Sequence, residues 1–460
     1  MREVTIAKFG GTSVGSLSMI LKCANIVQNN TSITCVVVSA QSQITDFLAD
    51  LCATDFSIER LHILDKIHRR MKKLLEPMYG LTIEKECQHM LDSWMDDLTK
   101  MSNTQNHMPE HIHHLILAMG EKISSQLVSS IFRACGIENQ IINARDLIKV
   151  NDLGCTGIEP DTESIKRHCL ELFAQQPLGS VVITQGFTAE DATSGNVITM
   201  GRGGSDLSAA LLAEALSAKE LQLWTDVEGI FTVDPREIKE AKPLSEITFD
   251  IAAKMARFGA KVVHPETIAP VMRSNIPVLI GATNNPKGNC TWIKTTASNN
   301  NIGPVSITRR KSQTLITARV HTKAEKIDPE ILFSRLAKSK LHSDWTAYTD
   351  NTLSILVDTP TVQDNDELLD NISENLASIA EVHIEENFHL ISIVGNGFLS
   401  DENLKNSILS YLSAYPIRCL MLGSSDHLIN WLIPERYSKT ILSEIHQLIF
   451  KEQLELDMVI

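Results

Sequence analysis

The sequence predicts an α/β protein: a mainly parallel central sheet between helical layers, followed by two small βαββαβ units. Three observations carry this. Over roughly the first 295 residues, short β-branched apolar runs alternate with stretches of helical periodicity. At TTASNNNIGP, residues 295–304, polar turn formers cluster without periodicity and mark a boundary. Beyond it, an order of strand, helix, strand, strand, helix, strand runs twice in units of about 75 residues, each able to form a small antiparallel sheet with helices on one face. The ranges that follow are 1–295, 305–385 and 386–460, with the terminal LDMVI a strand able to pair with the first small unit.

In chain order, strands are expected over residues 4–9, 33–39, 140–143, 180–185, 196–200, 220–225 and 276–280. A helix over 20–27 sets Ile20, Ala24 and Val27 on one face, and another over 206–217 is rich in Ala and Leu. Residues 58–104 interrupt the rhythm with a long charged stretch that reads as two amphipathic helices, an insertion and not a separate domain. The first small unit reads QTLITARV, PEILFSRLAKSK, SDWTAYTD, NTLSILVD, DNDELLDNISENLA and AEVHIEE. The second reads FHLISIVG, LKNSILSYLSAY, IRCLMLGSS, HLINWLIP, YSKTILSEIHQLIF and LDMVI.

Composition narrows the function. An apolar fraction of 43% and a charged fraction of 21% are ordinary globular usage. With 42 Lys and Arg against 56 Asp and Glu, the net charge of -14 disfavours polyanions, so any phosphate must be met by locally placed cations. Nine scattered cysteines without a CxxC indicate neither a disulfide framework nor a zinc ribbon. No apolar run of about 18 residues and no signal-like N-terminus occur, which points to the cytoplasm. Histidines 107, 111, 113 and 114 lack HExxH spacing and read as a solvated helix entrance, with no metal site expected.

Three loops at strand ends carry chemistry. In KFGGTSVGS, residues 8–16, Gly10 and Gly11 let the backbone expose N–H groups to an anion while Lys8 supplies positive charge; a plain glycine turn with a surface lysine is the alternative. In MGRGGSDLSAALLAEALSA, residues 200–218, Arg202 offers a fork for a carboxylate and Ser205 or Asp206 can cap the helix; a capped helix after a turn is the bland reading. In LWTDVEGIFTVDPREI, Thr225 and Asp226 end a strand and Arg236 follows an Asp-Pro turn. The three suggest one ligand crevice. Neither GxxxxGK[ST] nor GxGxxG is present, so this is neither a Walker A loop nor a nicotinamide-binding unit. Glu121, among apolar residues at helical spacing, is either paired or useful, and Lys261 beyond Gly259 is either a nucleotide contact or a solvated helix end.

The set KFGGTSVG, VVVSAQSQITD, MGEKISSQL, VITQGFTAED, GRGGSDLSAALLAEAL, WTDVEGIFTVDPR and MARFGAKVVHPETI, in that order, resembles the aspartate kinases of the amino acid kinase superfamily, over residues 1 to about 295. The tail resembles the paired ferredoxin-like ACT domains of that family, and the whole is most similar to its short, monofunctional, lysine-sensitive type. The resemblance implies the amino acid kinase fold, an αβα sandwich. It also implies transfer of the γ-phosphoryl group of MgATP to the β-carboxylate of L-aspartate, the first step of lysine (diaminopimelate), threonine and methionine biosynthesis. Mg²⁺ would arrive with ATP, regulation would run through the ACT domains with lysine the first-guess effector, and a homodimer or higher homo-oligomer is implied. The alternatives are another amino-acid or acid kinase of the superfamily, or a non-catalytic amino-acid sensor.

By motif match, Lys8 would stabilise the transferring phosphoryl group beside the amides of Gly10 and Gly11, with Asp206 orienting the lysine. Arg202 would take the α-carboxylate of aspartate and Glu121 its ammonium, with Ser39, Thr45 and Ser205 in the substrate loops. Ser13, Thr225, Asp226, Phe231, Arg236 and Lys261 match nucleotide-binding positions. Several positions depart. Phe231 stands where many relatives carry Tyr, and Leu207 replaces an aromatic. Ile327, Asp328 and Pro329 occupy a turn that is glycine-containing in lysine sensors, and Tyr348, Thr349 and Asp350 replace a Thr-Ser-Glu pattern, although Asp344 is retained.

Overall fold

The structure, a computed structural model, describes residues 3–80, 83–103, 108–153, 157–260, 263–298, 302–320, 334, 343, 345–349, 351–359, 374–376, 378–422 and 425–450. The chain forms two units: Met1–Ile230 with Pro243–Ala252 and Val262–Ser298, and Phe231–Lys242 with Ala253–Lys261 and Asn299–Ile460.

The first unit is built on an eight-stranded sheet in the order Glu246–Thr248, Cys290–Lys294, Val278–Ala282, Glu220–Thr225, Thr5–Phe9, Ile33–Val38, Val181–Gln185, Asn139–Ile141. All neighbours are parallel except Val278–Ala282 with Cys290–Lys294. A parallel sheet needs cover on both faces, and Ile33–Val38 is buried at every position. Alternation sends Ala7, Phe9, Val36 and Val38 into one apolar cluster with the helices Leu17–Asn29, Ile44–Ala53 and Glu110–Ala134. Lys8 points the opposite way, toward the face on which Gly204–Ala215 packs.

The charged stretch forms helices Ser57–Leu75 and Glu84–Ser102. Their apolar stripes, Leu64, Ile67, Met71 and Leu74 on one and Cys87, Leu91, Trp94 and Leu98 on the other, join the same core. Trp94 Nε1 donates to Met119 O at 2.8 Å. Shorter elements differ from expectation. The strand expected over 276–280 is Val278–Ala282, because Pro277 has no N–H for the ladder. A four-stranded sheet of Ile158–Pro160, Lys149–Asp152, Thr188–Asp191 and Val197–Thr199 was visible in the sequence only through its last strand.

The second unit holds one six-stranded sheet in the order Trp345–Thr349, Thr352–Asp358, Gly303–Val320, Ala380–Asn396, Leu428–Pro434, Cys419–Met421. AEVHIEE and FHLISIVG, read as strands of separate modules, are one continuous strand here. Its partner, Gly303–Val320, pairs through residues 313–319 with 352–358 and through residues 303–310 with 390–396. A register break separates the halves, with Ser312 (φ 53°) and Asn387 (φ 65°) both left-handed. The segment Phe231–Lys242 belongs to this unit: Ile307 N donates to Thr232 O at 2.7 Å, and Val233 and Ile238 enter a core with Ile391 and Trp431. Arg309 bonds both Glu237 and Ser438. All of PEILFSRLAKSK but Ser334, most of DNDELLDNISENLA and the terminal LDMVI lie outside the described residues.

Candidate active site

In the first unit, the C-terminal ends of four parallel strands converge, the usual ligand edge of an open α/β sheet. Lys8, one residue before the end of Thr5–Phe9, extends its ammonium to 2.5 Å from Asp206 Oδ1. Both side chains are mostly buried, at 13% and 18% exposure, so each charge depends on the other and on whatever fills the crevice. Asp206 lies in the first turn of Gly204–Ala215, where the helix dipole favours an anion.

Two glycines after Lys8 shape the next turn. Gly10 N donates to Trp224 O at 3.0 Å, and a Cβ at Gly10 would lie 3.7 Å from Lys8 Nζ. A Cβ at Gly11 would fall 2.6 Å from Ala40 O, so only glycine lets this loop touch the one after Ile33–Val38. The two loops are joined by Ser42 N donating to Gly11 O at 3.1 Å and Ser39 N to Phe9 O at 3.1 Å. Ser39 is half-buried beside this joint, and Thr45 sits half-buried in the first turn of Ile44–Ala53. Ser13 is fully buried, with its hydroxyl 2.7 Å from Thr283 Oγ1 and 3.3 Å from Trp224 O.

Glu121 approaches from the long helix Glu110–Ala134. Its Oε1 accepts from Ala40 N at 3.0 Å, while Oε2 is buried without a hydrogen-bond partner. Burial pushes this carboxyl up to about 8, against the lowering pull of the Ala40 N–H and the charge of Lys8. Gly120 makes the approach possible, since a Cβ there would sit 2.8 Å from that of Ala40. The remaining wall is the turn before Gly204–Ala215. Arg202 is exposed between Gly201 (φ 68°) and Gly203 (φ 72°). Ser205 packs against Gly186, where any Cβ would come within 2.6 Å of its own. Leu207 is buried inside the helix. Thr225 Oγ1 bonds Asp226 Oδ1 at 3.0 Å at the end of Glu220–Thr225.

The structure thus gathers Lys8, Gly10, Gly11, Ser39, Thr45, Glu121, Arg202, Ser205, Asp206, Thr225 and Asp226 at one edge of one sheet, on strand ends, the loops after them and the helices packed beside them. Phe231 and Arg236 lie in the second unit, where Phe231 O accepts from Ser306 Oγ at 3.1 Å and Arg236 Nη2 pairs with Asp234 at 2.8 Å. Lys261 lies outside the described residues. His114 is used structurally, its Nδ1 accepting from Thr199 N at 3.2 Å.

Sequence reasoning did not single out Gln41, Gly186 or Phe187. Gln41 is buried with neither amide atom hydrogen-bonded, and Phe187 holds φ 63°, a left-handed value that a bulky residue rarely adopts. The glycine ahead of Glu121 was a usable signal, because a glycine inside a helix is costly and needs a packing reason.

Residues 3–282 match the profile of the amino acid kinase family. The chain belongs to that family. It is 31% identical to the lysine-sensitive aspartokinase 3 of Escherichia coli over 98% of this chain and 100% of that protein. The structure of E. coli aspartokinase III in complex with aspartate and ADP superposes with a TM-score of 0.86 at 30% identity, covering 97% of this chain and 100% of that one. The same enzyme in complex with lysine and aspartate superposes with a TM-score of 0.77 at 30% identity, covering 97% and 99%. Members of this family place their chemistry on an α/β kinase fold, the architecture of the first unit.

Proposed function

We propose that this protein is an aspartate kinase, converting L-aspartate and ATP to 4-phospho-L-aspartate and ADP at the head of lysine, threonine and methionine biosynthesis. The observation that carries the reading is the Lys8–Asp206 pair facing a buried Glu121 across glycine-built loops. Its full-length likeness to an enzyme crystallised with aspartate and ADP supports it.

The chemistry asks little of acid–base catalysis. The β-carboxylate of aspartate, with a reference pKa near 3.9, is anionic at neutral pH and attacks the γ-phosphorus directly. The bond from that phosphorus to the β,γ-bridging oxygen breaks and ADP leaves with its electron pair. What must be overcome is repulsion between two anions, so positioning and cationic stabilisation dominate. Lys8 meets the transferring group with the N–H of Gly11 alongside, that of Gly10 being bonded to Trp224 O. Mg²⁺ carried by ATP supplies further neutralisation of the phosphates. Asp206 holds Lys8 in place.

Arg202 takes the α-carboxylate of aspartate and Glu121 its ammonium, while Ser39, Thr45 and Ser205 complete the substrate pocket. Thr225 and Asp226, together with Ser13, serve the nucleotide, and Phe231, Arg236 and Lys261 match nucleotide-binding positions by sequence. The catalytic range is 1–295 and the regulatory modules are 305–385 and 386–460, working as a cytoplasmic homodimer or higher homo-oligomer with lysine as effector. Substrate profiling tests the reading: ADP release must depend on L-aspartate and not on L-glutamate, N-acetyl-L-glutamate, carbamate or UMP.

A further inference from the structure

The first unit contains a cavity of about 600 Å³ outside the loops described above. Its apolar walls are Met101 from Glu84–Ser102, Leu115, Ala118 and Met119 from Glu110–Ala134, and Val197. This volume is that of a small-molecule pocket. Gln185 closes part of the wall with both ends of its amide committed, accepting from Ala144 N at 2.9 Å and donating to Ser125 Oγ at 2.8 Å.

The charged groups around it are Lys100, Lys122, Arg145 and Asp97, three cations to one anion in a chain of net charge -14. Arg145 is tied to Glu190 at 2.9 Å, and Lys122 stands 3.9 Å from Asp97, a loose pairing in the open. Lys100 and Lys122 against Asp97 leave an edge with one net positive charge. Thr188, 7% exposed, completes the wall.

We propose that this cavity is a second ligand site, taking a small organic anion with an apolar body. The acidic group sits at Lys100 and Lys122, and the body lies against Met101, Leu115 and Met119.

The test uses the full-length protein and the dye 8-anilinonaphthalene-1-sulfonate, an apolar ring system bearing one anion, titrated by fluorescence without ATP or aspartate. The expected result is saturable binding with one site per chain. Ala118→Trp, which intrudes on the cavity, and Lys100→Glu, at an exposed position that leaves the core untouched, each weaken it about fivefold or more. Equal dye binding in the native protein and in both variants would overturn the proposal. So would an absence of dye binding accompanied by a smaller assembly for Ala118→Trp in size-exclusion chromatography, which would make the cavity a contact between copies. Because no turnover is read, the result stands apart from the kinase assignment.

Discussion

The ammonium of Lys8 and the carboxylate of Asp206 are 2.5 Å apart, linking the end of a central strand to the first turn of the helix Gly204–Ala215. A charge on a strand inside a parallel sheet is tolerated only when paired, and this one is paired from the neighbouring element. The pair also points the lysine at the glycine turn, where a phosphoryl group in transfer would develop its charge.

From this, Lys8→Ala should lower kcat by about two to three orders of magnitude, with the KM for aspartate changing by less than about threefold. Asp206→Asn should give a smaller loss of the same kind. Steady-state kinetics decide it, and a Lys8→Ala enzyme with near-native kcat would remove the lysine from the chemistry.

Glu121 sets a pH dependence. With its carboxyl pushed up to about 8, the ionised fraction rises from about 1% at pH 6 to about 50% at pH 8. The ammonium of aspartate selects the ionised form, so the aspartate KM should fall at least about tenfold over that interval. Glu121→Gln should raise KM at pH 8 and flatten the profile. The sign for stability is opposite: the raised value makes this contribution full below the unfolded pKa, near 4.5, and lost as pH rises through about 8. A native KM that is constant from pH 6 to 8 would contradict the role.

Arg202, exposed between two left-handed glycines, is placed to swing onto a carboxylate. Arg202→Ala should raise the aspartate KM by about 10- to 100-fold, the worth of a charge-assisted bidentate contact, and leave the KM for ATP nearly unchanged. An unchanged aspartate KM would take Arg202 out of the substrate pocket.

Regulation is tested by titrating L-lysine, L-threonine and L-methionine against initial rates. Lysine should inhibit and the other two should not. A flat response to all three would show that the departures at Ile327–Pro329 and Tyr348–Asp350 have removed amino-acid sensing.

Much of the site was legible because its residues sit in short, contiguous loops. KFGG and GRGGSD each combine a cation with glycines at a strand-to-helix turn, and the run ITCVVV at 33–38, apolar but for Thr34, announces a strand buried on both faces. What escaped depends on contacts between distant segments. Gly186 matters only because Ser205 stacks on it, and Gln41 only because its loop is pressed beneath Gly11. Strands of three residues, such as Ile158–Pro160, carry too little periodicity to stand out. The joined sheet of the second unit turns on left-handed Ser312 and Asn387, and only the asparagine belongs to a residue type that favours such a conformation, a weak mark of a register break inside long strands. The allegiance of Phe231–Lys242 to that unit rests on bonds from Ser306, Ile307 and Arg309, more than 60 residues away.

The most direct measurement is formation of an acyl phosphate by the purified full-length protein with MgATP and L-aspartate, trapped with hydroxylamine. The account predicts aspartate β-hydroxamate in amounts equal to the ADP released, and none when aspartate is omitted. ADP release without hydroxamate, or no turnover in a protein that still binds ATP, would contradict it.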